Sequence, residues 1–270
     1  MKILLTGSTG FLGSYLKSSL CNNHEVFSPT HSELDLSDPI EVEAYLKQEY
    51  FDVVIHSAVA GREQVQSQNH SIVDQNLQMF FNLYSNKTHY NRFITFGSGA
   101  EFGLDRNIEN FTEDQLLSCF PKESYGFSKN IIARTILNTD NFYNLRLFSC
   151  FHETESDKRL LKKFIKSVEA DKPFYIDKDR YVDFIGLHDV ALVVDAVLAN
   201  EITECDLNVV YANKFKVSDL LIRYCELHNI NTNYVQVSGN SNINYTGDGS
   251  RIDLYGIKLT GLDAALKSYT

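Results

Sequence analysis

The sequence predicts an α/β fold built on a doubly wound parallel sheet, and three observations predict it. Short, wholly apolar runs alternate with segments of helical period through the first half of the 270 residues, as expected of strands covered by helices on both faces. A glycine-rich turn joins the first apolar run to the first helical segment. After about residue 150 the alternation loosens, which marks a smaller C-terminal lobe interleaved with the first region.

Element by element, Lys2–Leu5 reads as a strand and Phe11–Leu20 as a helix. His24–Phe27 is a second strand and Pro39–Gln48 a helix with a period near 3.6. Asp52–Ile55 is a third strand, followed by a longer helix over Val73–Thr88. Arg92–Phe96 is a fourth strand, Tyr125–Leu137 a helix and Tyr143–Phe148 a further strand. Beyond these, Leu160–Glu169 is helical, Phe174–Ile176 extended, and Leu187–Leu198 an apolar helix expected to pack back onto the main sheet. Val217–His228 is a helix, Ser238–Ser250 a polar loop, and a short helix ends the chain.

Composition narrows the function. The net charge of −10 shows no basic concentration for a nucleic-acid backbone, so no nucleic-acid partner is expected. No stretch approaches the apolar length of a membrane span. The glycines from Gly7 to Gly13 interrupt the N-terminal apolar run before a signal-peptide core forms. Five scattered cysteines form no C-x-x-C pair, which argues against a disulfide framework or a metal site and for a reducing cytoplasm.

The turn Thr6-Gly7-Ser8-Thr9-Gly10-Phe11-Leu12-Gly13 lies between the first strand and the first helix. Gly7 permits the tight turn, Gly10 lets the backbone approach a pyrophosphate, and Gly13 allows close helix–strand packing. The N–H groups opening the helix then face the phosphates. This is the Rossmann-type dinucleotide site, so residues 1–150 are read as the cofactor domain, with 181–212 returning to it. Residues 151–180 and 213–270 are read as the substrate-binding lobe. The second strand ends in Phe27-Ser28-Pro29-Thr30-His31-Ser32, with no carboxylate before Glu33. An acidic residue there would repel a 2′-phosphate; hydroxyls and His31 tolerate one, so NADP (NADPH) is expected rather than NAD.

Tyr125 and Lys129 stand four residues apart, on one face of a helix. A neighbouring ammonium lowers a phenol's pKa and suits it to proton transfer. Ser98, at the end of the fourth strand, falls at the carboxyl edge of the sheet, where its hydroxyl can polarise a carbonyl.

In order, TGSTGFLG at Thr6–Gly13, LDLSD at Leu34–Asp38, IHSA at Ile55–Ala58, Asn76, FGSGAEFG at Phe96–Gly103, YGFSK at Tyr125–Lys129 and YVDFIGLHDVA at Tyr181–Ala191 resemble the extended short-chain dehydrogenase/reductases, the NAD-dependent epimerase/dehydratase family. Within it the chain looks most like GDP-fucose synthase-like and other nucleoside-diphosphate-4-keto-6-deoxysugar 4-reductases. The resemblance implies Tyr125 as proton donor, Lys129 as its electrostatic partner and ribose ligand, and Ser98 as carbonyl polariser. It sets Asp35 and Leu36 against the adenine and Ser57 and Ala58 against the adenosine half. It also implies a homodimer through the helices at Val73–Thr88 and Tyr125–Leu137.

The departures carry information as well. Related dehydratases place Thr-Asp-Glu where Ser98, Gly99 and Ala100 stand here, and GDP-fucose synthase uses a cysteine at the Ala100 slot. Elimination and epimerisation therefore lose their acid and base, while hydride transfer keeps its set. Glu101, one residue on, would point to the opposite face of a strand. Many relatives carry arginine two residues before the aromatic of Tyr181–Phe184, where this chain has Val182; Arg180, two residues earlier, would take the diphosphate. Arg62, Gly99, Ala100, Phe148 and His152 complete the expected substrate contacts.

The expected reaction is reduction of a nucleoside-diphosphate-4-keto-6-deoxysugar for cell-surface polysaccharide. An NAD-retaining nucleotide-sugar 4-epimerase would use the same Ser/Tyr/Lys set, and a non-catalytic dinucleotide sensor would need none of it.

Overall fold

The computed structural model describes residues 1–61 and 70–269. The chain divides into two compact units. The first comprises Met1–Asp105, Glu113–Arg146 and Thr203–Leu207; the second comprises Arg106–Thr112, Leu147–Ile202 and Asn208–Thr270.

The first unit begins with β1 (Lys2–Thr6), α1 (Phe11–Leu20), β2 (Glu25–Phe27), α2 (Pro39–Gln48) and β3 (Phe51–His56). It continues with α3 (His70–Ser85) and β4 (Tyr90–Ser98). In chain order there follow β5 (Ile108–Phe111) of the second unit, then α4 (Ser124–Ile136) and β6 (Phe142–Leu147). A six-stranded sheet runs β2-β1-β3-β4-β6 and ends on a strand at Asp206–Asn208. β2, β1, β3 and β4 pair in parallel. The order reverses between β1 and β3, and in open parallel sheets ligands bind at the carboxyl ends of the strands beside such a switch point. The strands read as apolar runs because their cores are closed: Leu4, Val54 and Phe93 are fully buried in one cluster with Phe80 and Ile136. α2 starts where expected because Asp38 accepts from the Ile40 and Glu41 N–H groups and Pro39 opens the helix.

The second unit continues with β7 (Ser149–Phe151), α5 (Leu160–Glu169), β8 (Phe174–Ile176), β9 (Tyr181–Val182), β10 (Phe184–Gly186) and α6 (Leu187–Leu198). After β11 (Asp206–Asn208) come β12 (Phe215–Lys216), α7 (Val217–His228), β13 (Val235–Val237), β14 (Tyr245–Gly247), α8 (Ser250–Leu254) and α9 (Leu262–Lys267). Its strands make three small sheets, β7-β10, β8-β13 and β12-β9-β14-β5.

Three differences from expectation have local causes. α3 stops at Ser85, since Asn86 and His89 turn the chain through a short 3₁₀ segment. The expected polar loop at Ser238–Ser250 contains β14, which pairs in parallel with β5 from far back in the chain. The expected single last helix is two, α8 and α9, separated by Gly256 (φ 66°) and Gly261 (φ 89°) in the left-handed region. Among the described residues no helix is long and apolar enough to cross a membrane. No group of three His, Cys, Asp or Glu among them is placed to hold a metal.

Candidate active site

The glycine turn is shaped by close approach. Gly7 takes φ 74°, and a Cβ on it would lie 2.4 Å from the Ala58 nitrogen. A Cβ on Gly13 would lie 2.1 Å from the Gly7 carbonyl oxygen and 2.6 Å from Ser57 Oγ. The turn is closed by the Gly10 N–H donating to the Gly7 carbonyl at 3.0 Å. Gly10 caps α1 without a side chain, so the cap itself brings no side-chain acceptor to the first-turn amides. β3 is locked to this turn, because Ser57 donates to the Thr6 carbonyl through both its N–H (3.1 Å) and its Oγ (2.7 Å). A backbone cradle open at a helix N-terminus fits the pyrophosphate of a nicotinamide dinucleotide. Ser8 is buried and its hydroxyl reaches the Ser28 carbonyl at 3.4 Å; Thr9 at the tip is exposed. Leu12 is buried under the turn, and Phe11 opens the helix half-buried.

Beside the cradle, His56 Nδ1 lies 2.8 Å from Thr6 Oγ1. Burial, with the Lys129 charge nearby, pushes the His56 imidazole down to about 3, so it is neutral. Leu36 is buried in the core cluster and its carbonyl accepts from Asn82. Asp35 accepts from the Ser37 N–H and Oγ, which holds its carboxyl below the ordinary range. His31 is exposed, its Nδ1 3.8 Å from Asp35. Glu33 folds back to accept from the Thr30 N–H (2.7 Å) and Oγ1 (2.9 Å), so its carboxylate is held on Thr30 in the loop that follows β2.

The Ser98, Tyr125 and Lys129 side chains are all buried in the first unit. Lys129 donates from Nζ to the Phe96 carbonyl at 2.8 Å, which ties α4 to the end of β4. Tyr125 packs in a small cluster with Ile72 and Ala100, against Val59 and Leu104. Asn76 of α3 clamps the loop after β3: it accepts from the Ala60 N–H (2.8 Å), donates to the Ala60 carbonyl (3.2 Å) and donates to Ser128 Oγ of α4 (3.2 Å). Ser98 caps a 3₁₀ turn over Gly99–Phe102, its Oγ accepting from the Ala100 N–H at 3.2 Å.

Sequence reasoning missed what lies beneath that turn. Glu101 does not sit on a strand face; it is fully buried, and its Oε1 accepts from the Ser98 N–H at 2.7 Å. Its Oε2 accepts from Arg146 Nε at 2.6 Å and from Asn144 at 3.3 Å. Arg146 then reaches both oxygens of Asp206, at 2.9 and 2.8 Å. Burial raises the Glu101 carboxyl above its ordinary range, although Arg146 pulls it back. The partners stand 45 and 60 positions from Arg146, so no local spacing announces them.

The remaining expected contacts belong to the second unit, apart from Arg62, which lies outside the described residues. Phe148 is buried edge-on to Tyr245, with its ring against Gly247. His152 Nδ1 is 3.0 Å from Thr154 Oγ1, and Arg180 donates to the Ile243 carbonyl at 3.0 Å. In that unit Asp183 accepts from Lys214 and from the Gly247 N–H at 2.7 Å.

Comparison with known proteins follows the same line. The profile of the NAD dependent epimerase/dehydratase family matches residues 3–210. Over 123 residues the chain is 30% identical to the GDP-L-colitose synthase of Yersinia pseudotuberculosis, a stretch covering 44% of this chain and 40% of that protein. The match thus spans less than half of that relative's length. In fold the chain is similar to the NADP-bound GDP-mannoheptose C4 reductase of Campylobacter jejuni, with TM-score 0.80, 18% identity and 99% and 96% of the two chains covered. It is likewise similar to a dTDP-4-dehydrorhamnose reductase from Clostridium acetobutylicum, with TM-score 0.83, 17% identity and 100% and 98% covered. With the sheet order, the glycine cradle and a family profile spanning most of its length, the chain belongs to the NAD-dependent epimerase/dehydratase family.

Proposed function

We propose that this enzyme reduces the 4-keto group of a nucleoside-diphosphate-4-keto-6-deoxysugar with NADPH, in the synthesis of a sugar for cell-surface polysaccharide. One observation carries the reading. The turn beside Tyr125 offers Ser98, Gly99 and the fully buried Ala100, and its one carboxylate, Glu101, is turned away into Arg146. Dehydration and C3/C5 epimerisation need an acid or base in that turn, and what remains serves carbonyl reduction. The names of the similar proteins, a C4 reductase and a dehydrorhamnose reductase, support the same choice.

The dinucleotide fits the cradle of Gly7, Gly10 and Gly13, with the α1 amides on its pyrophosphate and Lys129 on the nicotinamide ribose. When bound in its reduced form it supplies hydride to the sugar C4. Ser98 donates to the keto oxygen and orients it. Tyr125 gives its phenolic proton to that oxygen as the alcohol forms, and the Lys129 ammonium favours the phenolate left behind. Arg180, His152, Phe148 and Arg62 are assigned to the nucleoside-diphosphate sugar. Two copies would pair through α3 and α4, which carry the exposed Phe81 and Phe127, in a cytoplasm that keeps the cysteines as thiols.

The test is a cofactor-consumption assay with NADPH or NADH and a panel of enzymatically prepared nucleoside-diphosphate-4-keto-6-deoxyhexoses. Sugar-dependent oxidation of NADPH is the expected result. Silence across the panel, with NAD co-purifying in the protein, would replace the reductase by a 4-epimerase.

A further inference from the structure

Ser98 is held from below, and the way it is held points to a residue with a role in catalysis but no contact with substrate. The Ser98 N–H is buried and ends on Glu101 Oε1, while the second oxygen of the same carboxylate ends on Arg146 and Asn144. Glu101 and Arg146 are fully buried, and Asp206 is 1% exposed. Two carboxylates and one guanidinium therefore share a dry site, an arrangement that is costly to build and weak as a source of stability. Neutral hydrogen bonding would cap a 3₁₀ turn at far lower cost.

The packing around this carboxylate is equally constrained. A Cβ on Gly97 would lie 2.3 Å from Glu101 Oε1, so β4 leaves room for the carboxylate at its last turn. A carboxylate accepts on both oxygens at once and so joins the Ser98 peptide rigidly to β6 through Arg146; an amide accepts on one. The turn's side-chain hydroxyl is in the same way pinned by Ala100 N–H at 3.2 Å.

We propose that Glu101 is a positioning residue for the reduction: anchored by Arg146, it fixes the Ser98 peptide so that the Ser98 hydroxyl meets the substrate keto oxygen. The proposal rests on the ketoreductase reading above. It assigns Asp206 a different part, since Asp206 anchors Arg146 through both of its oxygens, whereas Glu101 accepts directly from the Ser98 N–H.

That difference supplies the test. Glu101→Met and Asp206→Asn each remove one buried negative charge and each leave Arg146 with a carboxylate partner. Both are measured in the full-length enzyme for kcat, KM and dinucleotide Kd, together with Ser98→Ala and the double variant Ser98→Ala/Glu101→Met. Misplacing a reacting group by about 1 Å costs on the order of 10²-fold. Glu101→Met is therefore expected to lower kcat by about 10²-fold with dinucleotide Kd unchanged. Asp206→Asn should lower the melting temperature, as breaking a buried ion pair does, while leaving kcat close to the parent's. In the Ser98→Ala background, Glu101→Met should cost little more, because its effect passes through Ser98.

Equal losses for Glu101→Met and Asp206→Asn would reduce the network to structure and overturn the proposal. So would a loss from Glu101→Met that is undiminished in the Ser98→Ala background. A Ser98→Ala enzyme with parental kcat would instead remove the ketoreductase reading of Ser98 itself, and the proposal with it. Should Glu101→Met not fold, Glu101→Gln, which keeps one accepting oxygen, runs the same cycle with a smaller expected loss.

Discussion

Gly126 of α4 sits so close to Ala100 that a Cβ on it would lie 2.4 Å from the Ala100 carbonyl oxygen. This contact sets the spacing between the helix that carries Tyr125 and the turn that carries Ser98. Ordinarily Gly→Ala inside a helix gains about 1 kcal/mol of propensity. Here the opposing atom is a backbone carbonyl in a turn fixed by Glu101, and overpacking of this kind costs about 1–3 kcal/mol. Gly126→Ala is expected to lower the melting temperature and to reduce kcat by about 10²-fold by spreading Tyr125 from Ser98. A variant with parental kcat would show that the turn yields without disturbing the site.

The cradle makes a parallel prediction for the cofactor. A Cβ on Gly13 would meet the Gly7 carbonyl oxygen at 2.1 Å, and that oxygen belongs to the backbone that defines the turn. Gly13→Ala should raise the dinucleotide Kd by at least about tenfold, equivalent to about 1.4 kcal/mol. The chain has no Trp, so isothermal calorimetry is the direct readout. Unchanged affinity would place the pyrophosphate elsewhere.

These two contacts also show what was legible in the sequence. The glycine spacing and the Tyr125/Lys129 interval are local, and a helix such as Pro39–Gln48 announces itself by its period. The second unit was harder to read, because strands as short as Tyr181–Val182 and Phe215–Lys216 have no period to detect. The Glu101–Arg146–Asp206 network was hidden for a different reason. Its members are brought together by sheet order, and Glu101 leaves the strand direction in a 3₁₀ turn that period-2 reasoning does not anticipate.

The loop after β2 shows the same limit and bears on cofactor choice. Glu33 is removed from the strand end in sequence, yet its carboxylate folds back onto Thr30. Those bonds hold its carboxyl below the ordinary range, so it is ionised at neutral pH. A negative charge there opposes a 2′-phosphate. Glu33→Gln should therefore shift the ratio of KM values for NADPH and NADH toward NADPH by about fivefold at low salt, and less as salt rises. An unaltered ratio at every ionic strength would mean the adenosine ribose does not face this loop.

His56 predicts a pH dependence of stability. Its native pKa is depressed to about 3, from an ordinary value of 6.5. The unfolded chain thus takes up a proton below about pH 6.5 that the native state refuses until near pH 3. This contribution is fully present above pH 6.5 and is lost as the pH falls through that window, by about 1.4 kcal/mol per unit. In urea unfolding between pH 6.5 and 5, His56→Gln should lose stability less steeply than the parent by roughly that slope. Parallel pH profiles for the two proteins would show that His56 titrates normally in the fold.

The last prediction addresses the proton donor. Tyr125 is 9% exposed and its ring packs on Ile72 and Ala100, so Tyr125→Phe removes one hydroxyl and leaves the packing. The glycine cradle and Lys129 are untouched, so dinucleotide Kd should not change. Turnover should fall by about 10²–10⁴-fold, the usual contribution of a positioned acid. Dinucleotide Kd separates this from simple distortion of the site, which would weaken cofactor binding as well. A variant that keeps the parental rate would exclude Tyr125 as the proton donor.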